Sequence, residues 1–252
     1  MLSKNFARYI RSLELKKYRD QECSFVVEGP KAVADFMAVS QPKTIVATNK
    51  WYQNAGIKPR QTDIITTNDE LKRVSFLQHP QQVLAIFPLP IAIVSPNICS
   101  QELCLALDRI QDPGNLGTII RIAHWFGIST VFCGEGTADA FNPKAVQASM
   151  GSLAHVNVVY TELTSLINTL PANTPVYATT LHGGNIYSQK LSPVGLIVMG
   201  NEGNGVSHEI LNLANKTLFI PCYAKNTGPD SLNVAIATAI TCAEFKRTQY
   251  KL

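Results

Sequence analysis

Apolar positions recur along this chain with two periods. Phe6, Ile10 and Leu13 keep the spacing of one helix face, which predicts a helix over residues 5–17. Short apolar runs bounded by turn residues predict strands at 25–27, 44–47, 64–66 and 83–87, with helices near 31–39 and 69–77 between them. Pro30 falls at the start of the first of these helices, where a missing N–H does no harm. Pro88, Pro90 and Pro96 among small residues then interrupt the pattern, and we place a linker at 91–102. A second series follows: strands at 103–107, 130–133, 156–159, 176–179, 196–199 and 218–220, helices near 116–126, 164–170 and 207–213, and a long helix over 233–248. Apolar strands alternating with helices predict an α/β fold with a parallel sheet covered on both faces, preceded by a small α/β domain. The expected division is therefore 1–90, 91–102 and 103–252.

Composition narrows the class. With 46% apolar and 16% charged residues the chain can build real cores, which excludes wholesale disorder. The longest apolar stretch, 83–94, is too short to span a membrane and carries two prolines. The first nineteen residues are charged throughout, with no apolar signal core. The six cysteines form no CxxC pair and the five histidines are scattered, so neither a zinc site, nor any other metal site, nor a disulfide framework is expected. Free thiols without a signal peptide fit the cytoplasm.

Charge is distributed unevenly. Residues 1–90 carry 13 Lys and Arg against 8 Asp and Glu, whereas residues 91–252 carry 9 against 10. Lys4, Arg8, Arg11, Lys16, Lys17 and Arg19 face only Glu14 in the first nineteen positions. Such a face is either a solvated helix surface or a site for a polyanion, since phosphate contacts release counterions. The asymmetry favours a nucleic-acid-handling domain joined to a domain with another task.

Three strand ends carry the candidate chemistry, as expected where ligands bind beyond the carboxyl ends of strands. Asp112-Pro113-Gly114-Asn115-Leu116-Gly117-Thr118 precedes a helix holding Arg121. It is either a structural turn or a site where helix N–H groups meet an anion or a polar ligand edge. Gly200-Asn201-Glu202-Gly203-Asn204-Gly205 follows the strand at 196–199; three glycines in six residues allow close approach of backbone to a ligand. It matches neither a Walker loop nor GxGxxG in register, which disfavours a nucleotide-binding oxidoreductase or NTPase. Ile220-Pro221-Cys222 leads through a polar loop to Ser231-Leu232-Asn233-Val234. Ser231 reads as the N-cap of the last helix, or as part of a site, and Asn233 offers an amide to a ligand.

Together and in this order, these segments resemble the motifs of the SpoU family of RNA ribose 2′-O-methyltransferases, within the knotted SPOUT superfamily. Ser12-Leu13 with Lys16-Lys17, and Phe25-Val26-Val27-Glu28-Gly29, resemble that family's substrate-binding domain. The resemblance implies a parallel sheet whose last segments thread a trefoil knot, S-adenosylmethionine as cofactor, RNA (rRNA or tRNA) as substrate, and a homodimer whose active site draws on both subunits. It carries Gly200, Ile220, Leu232, Thr179 and Thr180, with Asn201 and Gly203, to the cofactor. It carries Arg121, Asn115, Glu202, Ser231 and Asn233 to the catalytic positions, for attack of a ribose 2′-OH on the sulfonium methyl group. Arg121 is implied to contact the phosphate beside the target ribose and to stabilise the developing alkoxide, with Asn115 orienting it or the ribose. Glu202 is expected to order its loop or bind near the substrate, and Ser231 and Asn233 to shape the pocket floor. The stretch from Ala224 to Asp230 is longer than the family usually has. The competing reading is an RNA-binding module of the same fold without catalysis, against which the presence of all four of Asn115, Arg121, Glu202 and Asn233 argues.

Overall fold

The computed structural model describes residues 2–92, 95–224 and 231–247. Two compact units emerge, Met1–Ile91 together with Asp139–His155, and Ala92–Ala138 together with Val156–Leu252. The segment Asp139–His155, which the sequence pattern groups with the later residues, thus packs within the first unit.

The first unit contains α1 (Lys4–Ser12), α2 (Lys16–Glu22), β1 (Ser24–Glu28), α3 (Pro30–Met37), β2 (Thr44–Ala47), α4 (Asn49–Ala55), β3 (Ile64–Ile65), α5 (Asn68–Val74) and β4 (Val83–Pro88). Its sheet has the order β1-β4-β2-β3, with β4 antiparallel to both neighbours and β2 parallel to β3. Ile10, Leu13, Val26, Val46, Leu71, Val74, Leu84 and Ile86 close its core between α1, α5 and the sheet.

The single helix predicted over 5–17 is broken in two. Leu13 is buried as the cap of α1, and Leu15 takes an extended conformation before α2 begins. The carbonyls that the break releases have one partner: Arg19 Nη1 donates to Leu13 O at 2.8 Å and to Glu14 O at 2.6 Å. The same guanidinium donates from Nη2 to Asp139 Oδ2 at 2.5 Å and is only 2% exposed. Arg19 is therefore a buried clamp and not part of the basic face that its place among the first nineteen residues suggests. Removing one partner of a buried charge pair leaves the other uncompensated. Asp139→Ala is expected to lower the unfolding free energy by about 3 kcal/mol, measured by urea denaturation. A loss under about 1 kcal/mol, the range of exposed pairs, would contradict the clamp.

The second unit contains β5 (Leu103–Asp108), α6 (Pro113–Trp125), β6 (Thr130–Cys133), β7 (Asn157–Tyr160), α8 (Leu163–Thr169), β8 (Val176–Asn185), β9 (Gly195–Gly200), α9 (His208–Leu213), β10 (Lys216–Phe219) and α10 (Val234–Arg247). Between β6 and β7 the chain leaves for α7 (Pro143–Ser149), which belongs to the first unit. All five pairings of the sheet β10-β8-β9-β5-β6-β7 are parallel. Its central strands are apolar without alternation because both faces are covered: every residue of β5 is buried, as are the first five of β9.

Two irregularities position the candidate site. α6 begins at Pro113, earlier than predicted, because Asp112 accepts the Asn115 N–H at 2.8 Å and Pro113 sits at the first helical position. Asn115 thus lies in the first turn of a helix. On the other side, β8 runs six residues past its predicted end, and its ladder with β10 jumps from Ala178–Thr217 to Gly184–Leu218. Residues 179–183 therefore leave the ladder at the carboxyl side of the sheet. No helix among the described residues is long and apolar enough to cross a membrane.

Candidate active site

Beyond the carboxyl ends of β8, β9 and β10 the second unit holds a cavity of about 430 Å³. Its wall includes every residue that the resemblance assigns to the cofactor: Thr179 and Thr180 from the excursion in β8, Gly200, Asn201 and Gly203 after β9, Ile220 after β10, and Leu232 before α10. Glu202 and Ser231 line it as well. Ile220 and Leu232 bracket the long loop; of that loop, residues 225–230 lie outside the described residues.

The turn after β9 is built by close backbone contact. Asn201 N–H donates to Gly205 O at 3.0 Å and Gly205 N–H to Asn201 O at 2.8 Å. A Cβ on Gly200 would lie 2.2 Å from Val206 N and 2.3 Å from Gly205 C. Only glycine fits there, because backbone is what it would strike. Asn201 is spent on the turn itself: its Oδ1 accepts from Gly203 N at 2.9 Å and Asn204 N at 3.1 Å, and its Nδ2 donates to Arg109 O at 2.8 Å. It contributes shape to the wall rather than a free amide.

A chain of amides joins the three motif segments. Asn233 Oδ1 accepts the N–H groups of Ala235 at 2.9 Å and Ile236 at 3.3 Å, so Asn233 is the N-cap of α10, the role that the sequence offered to Ser231. With Oδ1 committed to the helix, Nδ2 is the end that faces outward, and it donates to Asn115 Oδ1 at 3.0 Å. Asn115 must then present Nδ2 on its other side, where it donates to Glu202 Oε1 at 2.6 Å. Each amide's orientation follows from the one before it. The structure thus brings Asn115, Glu202 and Asn233 together, with Ser231 on the adjoining wall. Arg121 is not on the cavity wall. It stands on the exposed side of α6 and forms no hydrogen bond or ion pair among the described residues.

Two features of the wall escaped the sequence reading. Val234, Ala237 and Thr241 form one stripe of α10 that faces the cavity. Their helical spacing was available, but α10 is apolar on most sides and gave no reason to single it out. The Thr241 hydroxyl is buried without a hydrogen-bond partner among the described residues, and Cys222 brings a thiol to the same wall. An apolar cavity with a glycine cradle, backbone groups and an unpartnered hydroxyl fits a bulky ligand that needs few charged anchors. At the far edge of the sheet, after β7, hydrogen bonds from Ser165 and Thr164 hold the Glu162 carboxyl down to about 2, so that acid is committed to capping α8.

Comparison with known proteins agrees with this geometry. Residues 102–243 match the model of the SpoU rRNA Methylase family, and residues 4–85 that of an MRM3-like substrate binding domain. The chain is 33% identical to the 23S rRNA (guanosine(2553)-2′-O)-methyltransferase RlmP of Bacillus subtilis, over 91% of each chain. It is 28% identical to the mitochondrial rRNA methyltransferase 3 of Mus musculus, covering 92% of this chain and 69% of that one. The crystal structure of an AdoMet-bound rRNA methyltransferase from Sinorhizobium meliloti superposes with a TM-score of 0.85 at 30% identity, over 100% of this chain and 97% of that one. With family motifs, cavity and fold in agreement, this chain belongs to the SpoU rRNA methylase family.

Proposed function

We propose that this protein methylates a ribose 2′-hydroxyl of RNA with S-adenosylmethionine, and that ribosomal RNA is its substrate. The observation that carries this reading is that two distant motif segments, after β9 and between β10 and α10, line one cavity, and that the Asn233–Asn115–Glu202 chain ties the third, at the start of α6, to them. The relatives support it: RlmP is a 23S rRNA 2′-O-methyltransferase, and the Sinorhizobium meliloti enzyme binds AdoMet.

The backbone at Gly200, Gly203, Ile220 and Leu232 would hold the cofactor, with Thr179 and Thr180 beside them. Bound S-adenosylmethionine supplies a methyl group already activated on a sulfonium, so the protein's contribution is positioning and electrostatics. Glu202 uses Oε1 to hold Asn115, which leaves Oε2 to accept a hydrogen bond from the ribose. Asn115 and Asn233 fix the angle of that carboxylate, and Ser231 shapes the floor. Arg121 carries only hydrogen-bond donors, so its task is to clamp a phosphate and stabilise charge developing on the 2′ oxygen.

Arg121 stands off the wall of its own cavity, which supports a homodimer in which it serves the neighbouring site. Trp125, one turn further along the same face of α6, is 84% exposed, and Ile236 on α10 is 53% exposed. α6 and α10 pack on each other, so these apolar side chains offer one self-complementary surface. The trefoil knot is part of this reading, supported by the way the segments after β9 and β10 close on the same cavity. We place RNA recruitment in the first domain, residues 1–90, with 91–102 as linker and 103–252 as the methyltransferase domain. Lys4, Arg8 and Lys17 remain exposed there once Arg19 is withdrawn. The six free thiols suit the cytoplasm.

Incubation with methyl-labelled cofactor and separate pools of rRNA and tRNA tests the proposal. Label is expected in rRNA, in dinucleotides that resist alkali because the 2′ oxygen is blocked. Label confined to tRNA would overturn the choice of substrate. Absence of label, with cofactor binding intact, would favour the inactive RNA-binding module.

A further inference from the structure

Arg109 follows β5 at the carboxyl edge of the sheet with φ 59, a left-handed conformation that side chains other than Gly, Asn and Asp rarely adopt. Three contacts hold it. Asn201 Nδ2 donates to its carbonyl at 2.8 Å. Its own Nε donates to Asp108 Oδ1 at 3.1 Å. Its aliphatic stem packs over Gly136, where a Cβ would come within 3.3 Å of Arg109 Cγ. Asp108 in turn accepts the Ser207 N–H at 2.7 Å, so this corner ties the turn after β9 to the end of β5.

These contacts account for the backbone and for Nε. They do not account for the rest of the guanidinium. The side chain is 43% exposed, and Nη1 and Nη2 have no partner among the described residues. The acids around it are engaged elsewhere: Asp108 with Nε and Ser207, Asp112 with the N-terminus of α6, Glu202 with Asn115. Glu135 is exposed and forms no ion pair among the described residues, Arg109 included. A small residue would satisfy the backbone at this position with less strain. The long cation instead stands at the sheet edge that carries the cavity and the amide chain, tied to the turn after β9 through Asn201.

We infer that Arg109 is a second phosphate contact for the substrate RNA, its two Nη groups taking the oxygens of a backbone phosphate near the target ribose. This inference rests on the RNA methyltransferase reading and adds a residue to it. Two parallel N–H donors in a fixed fork match a phosphate. The contact positions the strand and carries no base specificity.

The test compares wild type, Arg109→Asn and Arg109→Lys for binding of an unmodified 23S rRNA transcript across a salt titration, with S-adenosylmethionine affinity measured by calorimetry. Asn keeps the left-handed backbone and loses the cation. It is expected to weaken RNA binding about fivefold near 0.1 M salt and to flatten the slope of log affinity against log salt by about 0.7 to 1. Cofactor affinity stays within about twofold of wild type, and Lys restores most of the slope because the released counterion depends on charge alone. An Asn variant with the wild-type slope overturns the inference, as does a Lys variant no better than Asn, which makes Arg109 a scaffold residue. Failure of the wild-type protein to bind the transcript or transfer a methyl group to RNA overturns the parent reading, and this inference with it.

Discussion

Alanine at Gly200 is expected to abolish useful cofactor binding, while alanine at Gly203, three residues later in the same loop, leaves it nearly unchanged. At Gly200 the added methyl would meet Val206 N at 2.2 Å and the Gly205 carbonyl carbon at 2.3 Å. Backbone cannot step aside as a side chain can. The turn must open, breaking the paired bonds between Asn201 and Gly205 and drawing Glu202 away from Asn115. Overpacking of this kind costs about 3 kcal/mol, or about a hundredfold in cofactor affinity if the strain is relieved only by opening the binding loop. At Gly203 the methyl would meet nothing nearer than Asn201 Oδ1 at 3.5 Å, an ordinary contact. Calorimetric titration with S-adenosylmethionine separates the two variants. Affinity within threefold of wild type for Gly200→Ala would show that the turn yields more easily than its geometry implies.

The contrast between the two glycines marks the limit of what the sequence discloses. A glycine-rich stretch after an apolar strand is visible as such, but which glycine is obligatory depends on what lies across the turn. The same holds more widely. The parallel sheet was legible because residues 103–107 of β5 and 196–199 of β9 are apolar without alternation, and only a doubly covered strand tolerates that. α4 and α7 were not, because each has seven residues and little periodicity; their caps at Thr48 and Asn142 are signals that also occur in loops. The break between α1 and α2 was hidden by a helical pattern that continues across it, and its cause, Arg19 turned inward to Asp139, involves a partner 120 residues away. Within the site, residue types and order were readable through the family resemblance. The linkage was not: nothing in the spacing says that Asn233 caps α10 with one end of its amide and holds Asn115 with the other. Ser231 satisfied the same capping rule on paper, and the helix begins two residues later than that rule required.

Arg121 provides the sharpest test of the assembled site. Arg121→Ala is expected to lower methyl transfer by about 10² to 10³, the loss typical of one electrostatic donor aimed at developing charge, with cofactor affinity within about twofold of wild type. That split follows from its absence from the cavity wall. Its exposed position on α6, without a partner among the described residues, carries a further consequence if the site is shared across a dimer. Arg121→Ala keeps an intact cavity and lacks the guanidinium, whereas Gly200→Ala keeps the guanidinium and lacks the cavity. Unfolded together and refolded as a mixture, the two inactive proteins would form hybrid dimers, each with one complete site. Random pairing makes half of the dimers hybrid, so transfer is expected to recover to about a quarter of the wild-type rate. Ala237→Phe, which fills the cavity from α10 and leaves the residues of the turn unchanged, serves in place of Gly200→Ala should that variant refold poorly. No recovery in either mixture, with hybrid dimers verified by mass, would mean that Arg121 acts within its own subunit and that α6 must move to bring it to the cavity.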